Sequence, residues 1–288
     1  MRVGCWSLSA TLCLLCSVAF AVPPAALEQQ NARGLALGTG ARASAMSTSA
    51  LLYNPASLSL GRLYHLESGV AYHPSEHTLD AAAMVVDSMT SRLAAGFSAR
   101  ALRATALGGY AGVDLRLGFG LPLSDGISVG GVGRYLSLDQ QVSGGNGTRP
   151  IHLTKGLTFD MSLRLRPFKG LELATLGYNL LGLESALVPR SLGASAALAV
   201  SSAATVAVDL FSVGSESTYL IAGGGAEYVN GSVPMRLGYR YDAGHGVHAV
   251  SGGIGYLHRR GGFDLAIRRE VAGGAQTLVM GSLRYFVH

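Results

Sequence analysis

Over much of this chain, apolar and polar side chains alternate one for one. In Met235-Arg236-Leu237-Gly238-Tyr239-Arg240-Tyr241-Asp242, one set is Met, Leu, Tyr, Tyr and the other is Arg, Gly, Arg, Asp. Successive side chains of a strand point to opposite faces, so this segment reads as a strand with one apolar and one charged face. The same pattern places Leu157, Phe159, Met161, Leu163 and Leu165 opposite Thr158, Asp160, Ser162, Arg164 and Arg166. It places Val113, Leu115, Leu117, Phe119 and Leu121 opposite Asp114, Arg116 and Gly118, and Phe263, Leu265 and Ile267 opposite Asp264, Ala266 and Arg268. From Arg62 onward the pattern predicts about fourteen strands of about ten residues each, the length a tilted membrane strand needs. Their starts fall near residues 62, 78, 91, 109, 125, 151, 169, 188, 203, 218, 234, 246, 261 and 276. Turn chemistry separates them: Ser124-Asp125-Gly126, Gly144-Gly145-Asn146-Gly147, Asn230-Gly231, Gly261-Gly262 and Gly273-Gly274. The connections are therefore short, and the longest polar insertion, Asp139 to Pro150, is expected to be an external loop.

Alternation alone also fits a soluble sandwich with one buried face. Composition separates the two. Charged residues make up 14% of the 288 residues and mean hydropathy is +0.33, whereas soluble domains carry roughly 25% charge. The 40 glycines argue against a helical bundle, because each interior glycine costs a helix about 1 kcal/mol. The fold class expected is all-β: a transmembrane antiparallel barrel of about fourteen strands (12–14), apolar toward lipid and polar toward its lumen.

The chain start supplies an export route. Arg2 is a positive n-region, Val3 to Phe20 carries no charge, and Ala19-Phe20-Ala21 reads as a cleavage site. Residues 1–21 are expected to be a signal peptide, 22–60 a separate N-terminal segment and 61–288 the barrel, placed in an outer membrane. Cys5, Cys13 and Cys16 all lie in the leader, so a mature chain would have no disulfide, thiolate metal site or catalytic cysteine. Removing Arg2 takes the formal charge from +5 to +4 (5 − 1). No basic cluster or aromatic stacking motif accompanies it, so nucleic acid is not expected as a partner. The final strand, Gly281 to His288, puts Leu283, Tyr285 and Val287 on one face. It resembles the C-terminal signal read by barrel-assembly machinery, with His288 departing from the usual terminal Phe or Trp.

Val22 to Leu60 does not alternate. It is rich in Gly, Ala and Ser, and Ser44 to Tyr53 suits a short helix that Pro55 ends. The run Gly40-Ala41-Arg42-Ala43 through Asn54-Pro55-Ala56-Ser57-Leu58 resembles the N-terminal signature of the FadL-like and PorV-like outer-membrane proteins, with Ser57 where that family has glycine. The resemblance implies a fourteen-stranded barrel with this segment folded inward as a plug, or hatch, whose motif residues would be Gly40, Ala41, Asn54, Pro55, Ala56 and Leu58. A lumen that wide cannot be filled by its own side chains, and a small-residue segment can pack inside it, with Asn54 bridging backbone groups.

The lumen-face candidates for ion pairing or ligand contact are Arg116, Arg134, Asp160, Arg164, Arg236, Arg240, Asp264 and Arg268, joined by Asp114, Asp209, Glu227, Asp242, Glu270 and Arg284. Most are expected to be structural pairs, because buried charges need partners. A surplus arginine could grip a substrate carboxylate in two-pronged fashion. His73/His77 and His245/His248 have metal-like spacing but no third ligand, and no spacing marks a Ser-His triad. No metal, cofactor or catalytic residue is expected. The function expected is passive passage of hydrophobic or amphipathic small molecules. The alternative is a non-transporting scaffold of a secretion, motility or surface-assembly machine. Expected partners are outer-membrane lipid, the barrel-assembly machinery, and a hydrophobic ligand or envelope-complex proteins.

Overall fold

The computed structural model describes residues 30–104, 109–144, 147–183, 185, 187–214 and 218–287. The expected signal peptide, and residues 22–29 of the segment after it, lie outside the described residues. Fourteen strands follow one another: β1 Tyr64–His73, β2 Thr78–Asp87, β3 Ala94–Ala104, β4 Tyr110–Pro122, β5 Ile127–Gly144, β6 Gly147–Phe168 and β7 Leu171–Tyr178. Next come β8 Arg190–Ala199, β9 Ala204–Gly214, β10 Thr218–Asn230, β11 Val233–Asp242, β12 Val247–His258, β13 Gly261–Ala272 and β14 Thr277–Val287. Each pairs antiparallel with its sequence neighbour, and β1 pairs with β14 from Tyr64↔Val287 to Tyr72↔Val279. The ring closes, so no sheet edge is left around the wall. β2, β10 and β13 begin at Thr78, Thr218 and Gly261, where the alternation and turn chemistry place them.

The faces are sharply divided. On β11, Leu237 is 72% exposed and its neighbour Arg236 is 3% exposed. Leu117, Met161, Leu192, Val208, Ile254 and Leu265 likewise face outward. Such a continuous apolar exterior far exceeds the few hundred Å² of patch a soluble monomer exposes. The closed ring and this inverted surface exclude the sandwich reading and fit a barrel solvated by lipid.

Both chain ends of the barrel lie at one end, here termed terminal, where β1 starts and β14 finishes; the opposite end is termed distal. Outward aromatics gather at the terminal end: Tyr64, Phe97, Phe119, Tyr228, Tyr256, Phe263 and Tyr285. This is the interfacial belt of a membrane barrel. It mixes Phe with Tyr, although total aromatic content is only 7%.

Two expectations about connections need correction. Asp139 to Pro150 is not a loop. β5 runs through Asp139 to Gly144, and β6 starts at Gly147, with Gln141 paired to Pro150. The hairpin projects beyond β7, whose pairing with β6 ends at Met161↔Gly177 and whose continuation donates Leu180 N–H to Phe159 O at 2.8 Å. This stretch of the sequence is polar and glycine-rich, so the apolar alternation that marks a strand is missing from it. Pro150 is tolerated because that stretch of β6 lies on an edge. The connection that is long runs from Asn179 to Pro189, between β7 and β8, and it was expected to be short.

Asn31 to Gly61 lies inside the ring. It forms α1 (Ala32–Ala36), a 3-10 turn (Arg42–Ser44), α2 (Ser47–Tyr53) and a second 3-10 turn (Pro55–Gly61). Asn31 starts α1 by accepting from Gly34 N–H at 2.9 Å, a side-chain N-cap. The expected Ser44–Tyr53 helix begins at Ser47, and Ser44 belongs to the preceding turn. Asn54 leaves the helical conformation, with φ −155° and ψ 80°, and Pro55 opens the next turn, so α2 stops where the proline dictates.

Inward-facing glycines make the seat for this segment. An added Cβ at Gly225 would lie 2.8 Å from Leu37 O and 2.9 Å from Leu37 Cα. At Gly120 it would lie 2.5 Å from Pro55 O, and at Gly253 2.7 Å from Ala36 Cβ. Gly130 faces Pro55 and Ala56, and Gly238 faces Leu37 and Gly38, at similarly close approach. Any larger side chain at these positions would push the segment off the wall.

Candidate functional site

The inner segment is tied to the wall by polar contacts at several points. Asp209 on β9 accepts from Thr39 Oγ1 at 2.7 Å and from Arg42 N–H at 3.2 Å. Ser195 Oγ on β8 accepts from Ala43 N–H at 2.8 Å and donates to Asp209. Ser162 Oγ on β6 accepts from Ala56 N–H at 2.8 Å. Thr48 Oγ1 donates to Glu67 on β1 at 2.5 Å. Asn54 is fully buried and donates from Nδ2 to Arg42 O at 3.1 Å and to Ser57 Oγ at 3.0 Å, so it joins the two halves of the segment. Ala41 is left-handed, with φ 48°, at the head of the first 3-10 turn, and Gly40, with φ 107°, lies against the Tyr53 ring. Leu58 fills the space beside Gly118 and Gly120.

A chain of charges crosses the terminal half of the lumen. Arg33 on α1 grips Glu227 with two bonds, Nε at 3.1 Å and Nη2 at 3.0 Å. Glu227 pairs with Arg236 at 2.5 Å, Arg236 with Asp264 at 2.5 Å, and Asp264 with Arg284, which reaches Glu67 at 3.9 Å. Glu67 returns the chain to the inner segment through Thr48. Burial disfavours the Arg33 charge, but Glu227 more than offsets that and raises its pKa above the usual guanidinium value. Arg236 and Asp264 are therefore structural here, as is Arg164, which pairs with Glu172 at 2.5 Å near the terminal rim.

On the distal side of the segment lies a cavity of about 150 Å³. Its floor is Thr39, Arg42, Leu52 and Tyr53 of the inner segment. Its apolar wall is Phe211, Val213, Tyr219 and Ile221, and its cover is Leu187, Val188 and Pro189 from the β7–β8 connection. The Arg42 guanidinium stands 4.2 Å from the Phe211 ring centre, 5.4 Å from Tyr53 and 5.5 Å from Tyr178, and Arg42 Nε donates to Tyr178 Oη at 2.9 Å. This is a cation packed among aromatic faces.

The other wall is charged. Arg134 donates three times to Asp114, its Nη2 reaching Oδ2 at 2.6 Å, and its Nη1 donates to Asn179 Oδ1 at 3.1 Å. Arg116 is held more loosely, 3.3 Å from Asp160 and 3.5 Å from Asp114. Asn179 begins the β7–β8 connection in a left-handed conformation, φ 54°, which asparagine tolerates better than most residues. Its N–H donates to Asp160 Oδ1 at 2.7 Å and its Nδ2 to Pro189 O at 3.0 Å, pulling both ends of the connection inward. Val188 is thereby buried against Leu102, Tyr110, Leu136 and Leu138.

Of the lumen candidates, Arg116, Arg134, Asp160, Arg240 and Asp242 line this cavity. Arg240 lies 3.6 Å from Asp242, and Arg268 lines a second depression at the distal mouth with Asp242, His245 and Glu270. The histidine pairs are not brought to a common centre. His73 faces Asp80 at 3.7 Å and His245 faces Asp242 at 3.1 Å. Among the described residues no group of three metal-ligating side chains converges. The aromatic wall was not anticipated. Its readable signal was β9, where Phe211 and Val213 share a face with Asp209, placing bulky apolar groups on an otherwise charged side.

These elements define a class: a closed antiparallel membrane β-barrel with its own N-terminal segment packed inside the ring and a mixed aromatic and charged cavity on the distal side of that segment. No family model matches the chain, and no curated protein does. Solved structures do. The Ralstonia pickettii toluene transporter TbuX superimposes with a TM-score of 0.66 at 14% identity, covering 91% of this chain and 99% of TbuX. The Pseudomonas putida toluene transporter TodX gives 0.63 at 15% identity, over 90% of this chain and 98% of TodX. A Pseudomonas aeruginosa FadL homologue gives 0.64 at 12% identity, over 89% and 98%. The chain thus has the fold of the FadL-type transporters over nearly its whole described length.

Proposed function

We propose that this protein is an outer-membrane channel through which small hydrophobic or amphipathic molecules pass passively. The observation that carries the reading is the cavity held between the inner segment and the β7–β8 connection. A cavity of about 150 Å³ lined by apolar side chains is large enough for benzene, and this one has a comparable volume with Phe211, Val213 and Ile221 on one side. The toluene transporters that share the fold support the same class of cargo. Short connections belong to the periplasmic end of such barrels and longer ones to the outside. The terminal turns are short, including 169–170, 231–232 and 259–260, so the distal mouth with Asn179–Pro189 and the β5–β6 hairpin faces outward.

In this reading cargo comes in from the distal mouth and lodges against Phe211. A polar head would be met by Arg116, whose two acid partners are both long. Passage then requires Leu52 and Tyr53 to move aside, with the glycine-seated remainder of the segment staying in place. The test is uptake of a labelled monoaromatic hydrocarbon by cells carrying the barrel, against a charged solute of similar size. Phe211→Trp, which fills the cavity, is expected to bring hydrocarbon uptake down to the level of cells without the protein at equal amounts of folded barrel. Unchanged uptake in that variant would refute the route.

The density of the inner seat favours one other reading, a closed scaffold in an envelope machine. Gly130 and Gly238 leave no slack beside the segment. A scaffold would co-purify with envelope proteins in fixed proportion and would give no hydrocarbon uptake at all.

A further inference from the structure

On β11 to β14 the outward face changes character toward the distal end. Midway along these strands it is wholly apolar, with Leu237, Ile254, Ile267 and Val279 exposed. One step further, a single register row runs Tyr239↔Val250↔Arg269↔Thr277 across the four strands. Arg269 is exposed on this lipid-side face, and its Nη1 donates to Thr277 Oγ1 at 2.5 Å. That bond engages one of five guanidinium donors and orients the rest of the fork. Beside it, Tyr239 Oη is 2.5 Å from His248 Nδ1, and the His248 ring stacks on Tyr241 with centroids 4.6 Å apart. The neighbouring acid, Glu270, is on the opposite face and accepts the Gln276 N–H at 2.9 Å within its own turn.

An outward arginine at the membrane midplane costs a barrel about 2–4 kcal/mol, but close to nothing at the interface. Arg269 sits where Tyr239 and Tyr241, the residue type that marks the headgroup level, first join the apolar outward face, with Val250 in its row and Val271 beyond it. At that depth the available anions are lipid phosphates, and the planar fork matches phosphate oxygens two at a time. We propose that this rim is a recognition site for a phosphorylated lipid headgroup of the leaflet around the distal mouth. Arg269 is the phosphate ligand, Thr277 orients it, and His248, held by Tyr239 and Tyr241, is a second donor. The site is independent of what the lumen carries.

The test is native mass spectrometry of the detergent-purified barrel with diphosphoryl lipid A and with the same lipid stripped of phosphate. The folded protein is expected to retain the phosphorylated lipid at least about tenfold better, the worth of a single charge-assisted hydrogen bond. Arg269→Ala removes that preference, and Arg269→Lys keeps part of it. Arg259→Ala, at the terminal end, keeps all of it. Arg269→Gln, which preserves the side-chain stem, serves if the alanine variant does not fold. Excess inorganic phosphate leaves the retained lipid unchanged. Equal retention of both lipids, an undiminished preference in both the alanine and glutamine variants, or loss of the lipid to inorganic phosphate would each overturn the proposal.

Discussion

Two neighbouring glycines of β12 offer a direct test of how the inner segment is held. Gly252 faces outward, and a methyl group there would meet its nearest neighbours, Arg236 O and Leu237 Cδ2, at 3.6 Å, which is ordinary contact. Gly253 faces inward, and its added Cβ would lie 2.7 Å from Ala36 Cβ and 2.8 Å from Leu265 O. Gly252→Ala should therefore be close to neutral. Gly253→Ala should cost about 1–3 kcal/mol, the usual penalty for overfilling a packed interior. If the strain is against α1, a compensating change exists. Ala36→Gly alone weakens α1 by about 1 kcal/mol, but in the presence of Gly253→Ala it removes the opposing methyl. The double variant should then be less damaged than the sum of the two single ones by at least about 0.5 kcal/mol, the coupling expected of residues in contact. The measurement is denaturant unfolding of the barrel in detergent micelles, followed in parallel by tryptic cleavage at Arg33 and Arg42 under native conditions. Gly253→Ala should speed that cleavage and the double variant should slow it again. The reasoning fails if Gly252→Ala and Gly253→Ala are equally harmful, or if the double variant is strictly additive.

Two more outcomes follow from the charges. Asp264→Ala removes the carboxylate that Arg236 and Arg284 share, leaving Arg236 with Glu227 and Arg284 with only Glu67 at 3.9 Å. The belt is left one negative charge short, which should destabilise the barrel by about 3–5 kcal/mol, the cost of breaking a buried pair; unfolding midpoints in detergent would show it, and a loss below about 1 kcal/mol would mean water solvates that belt. At the distal mouth, burial pushes the Glu76 carboxyl above the usual carboxylate range, with nearby Glu270 and Asp80 adding to the rise and His73 opposing it. A raised acid pKa means the folded state holds more protons, so stability falls as pH climbs from the ordinary carboxylate range through the raised folded value. Glu76→Gln should remove that part of the pH dependence, and identical profiles for both proteins would refute it.

The barrel was legible because it rests on local rules. A strand that faces lipid on one side and a polar lumen on the other must alternate, and Leu157 to Arg166 or Met235 to Asp242 announce that without any partner in view. Glycine-marked turns then fix most strand starts. Where the sequence is polar on both parities, as in the β5–β6 hairpin, the same rule falls silent, and Asp139 to Pro150 read as a loop. The inner arginines and acids were also visible from parity alone, since every second residue of these strands points inward.

Which inner charge meets which was not visible, nor was the cavity. Arg236 and Arg134 look alike in the sequence. Closure of the ring puts one into a belt with Glu227 and Asp264 and the other against Asp114 and Asn179 beside the cavity. Arg42 reaches Phe211, 169 positions along the chain (211 − 42), only because the inner segment seats on the glycines of the wall. By itself, then, the sequence determined the side each strand residue faces, because that depends on a period of two. Tertiary structure alone decided the neighbours across the lumen, because those depend on closure, on register and on where a chain of small residues fits against a wall without side chains.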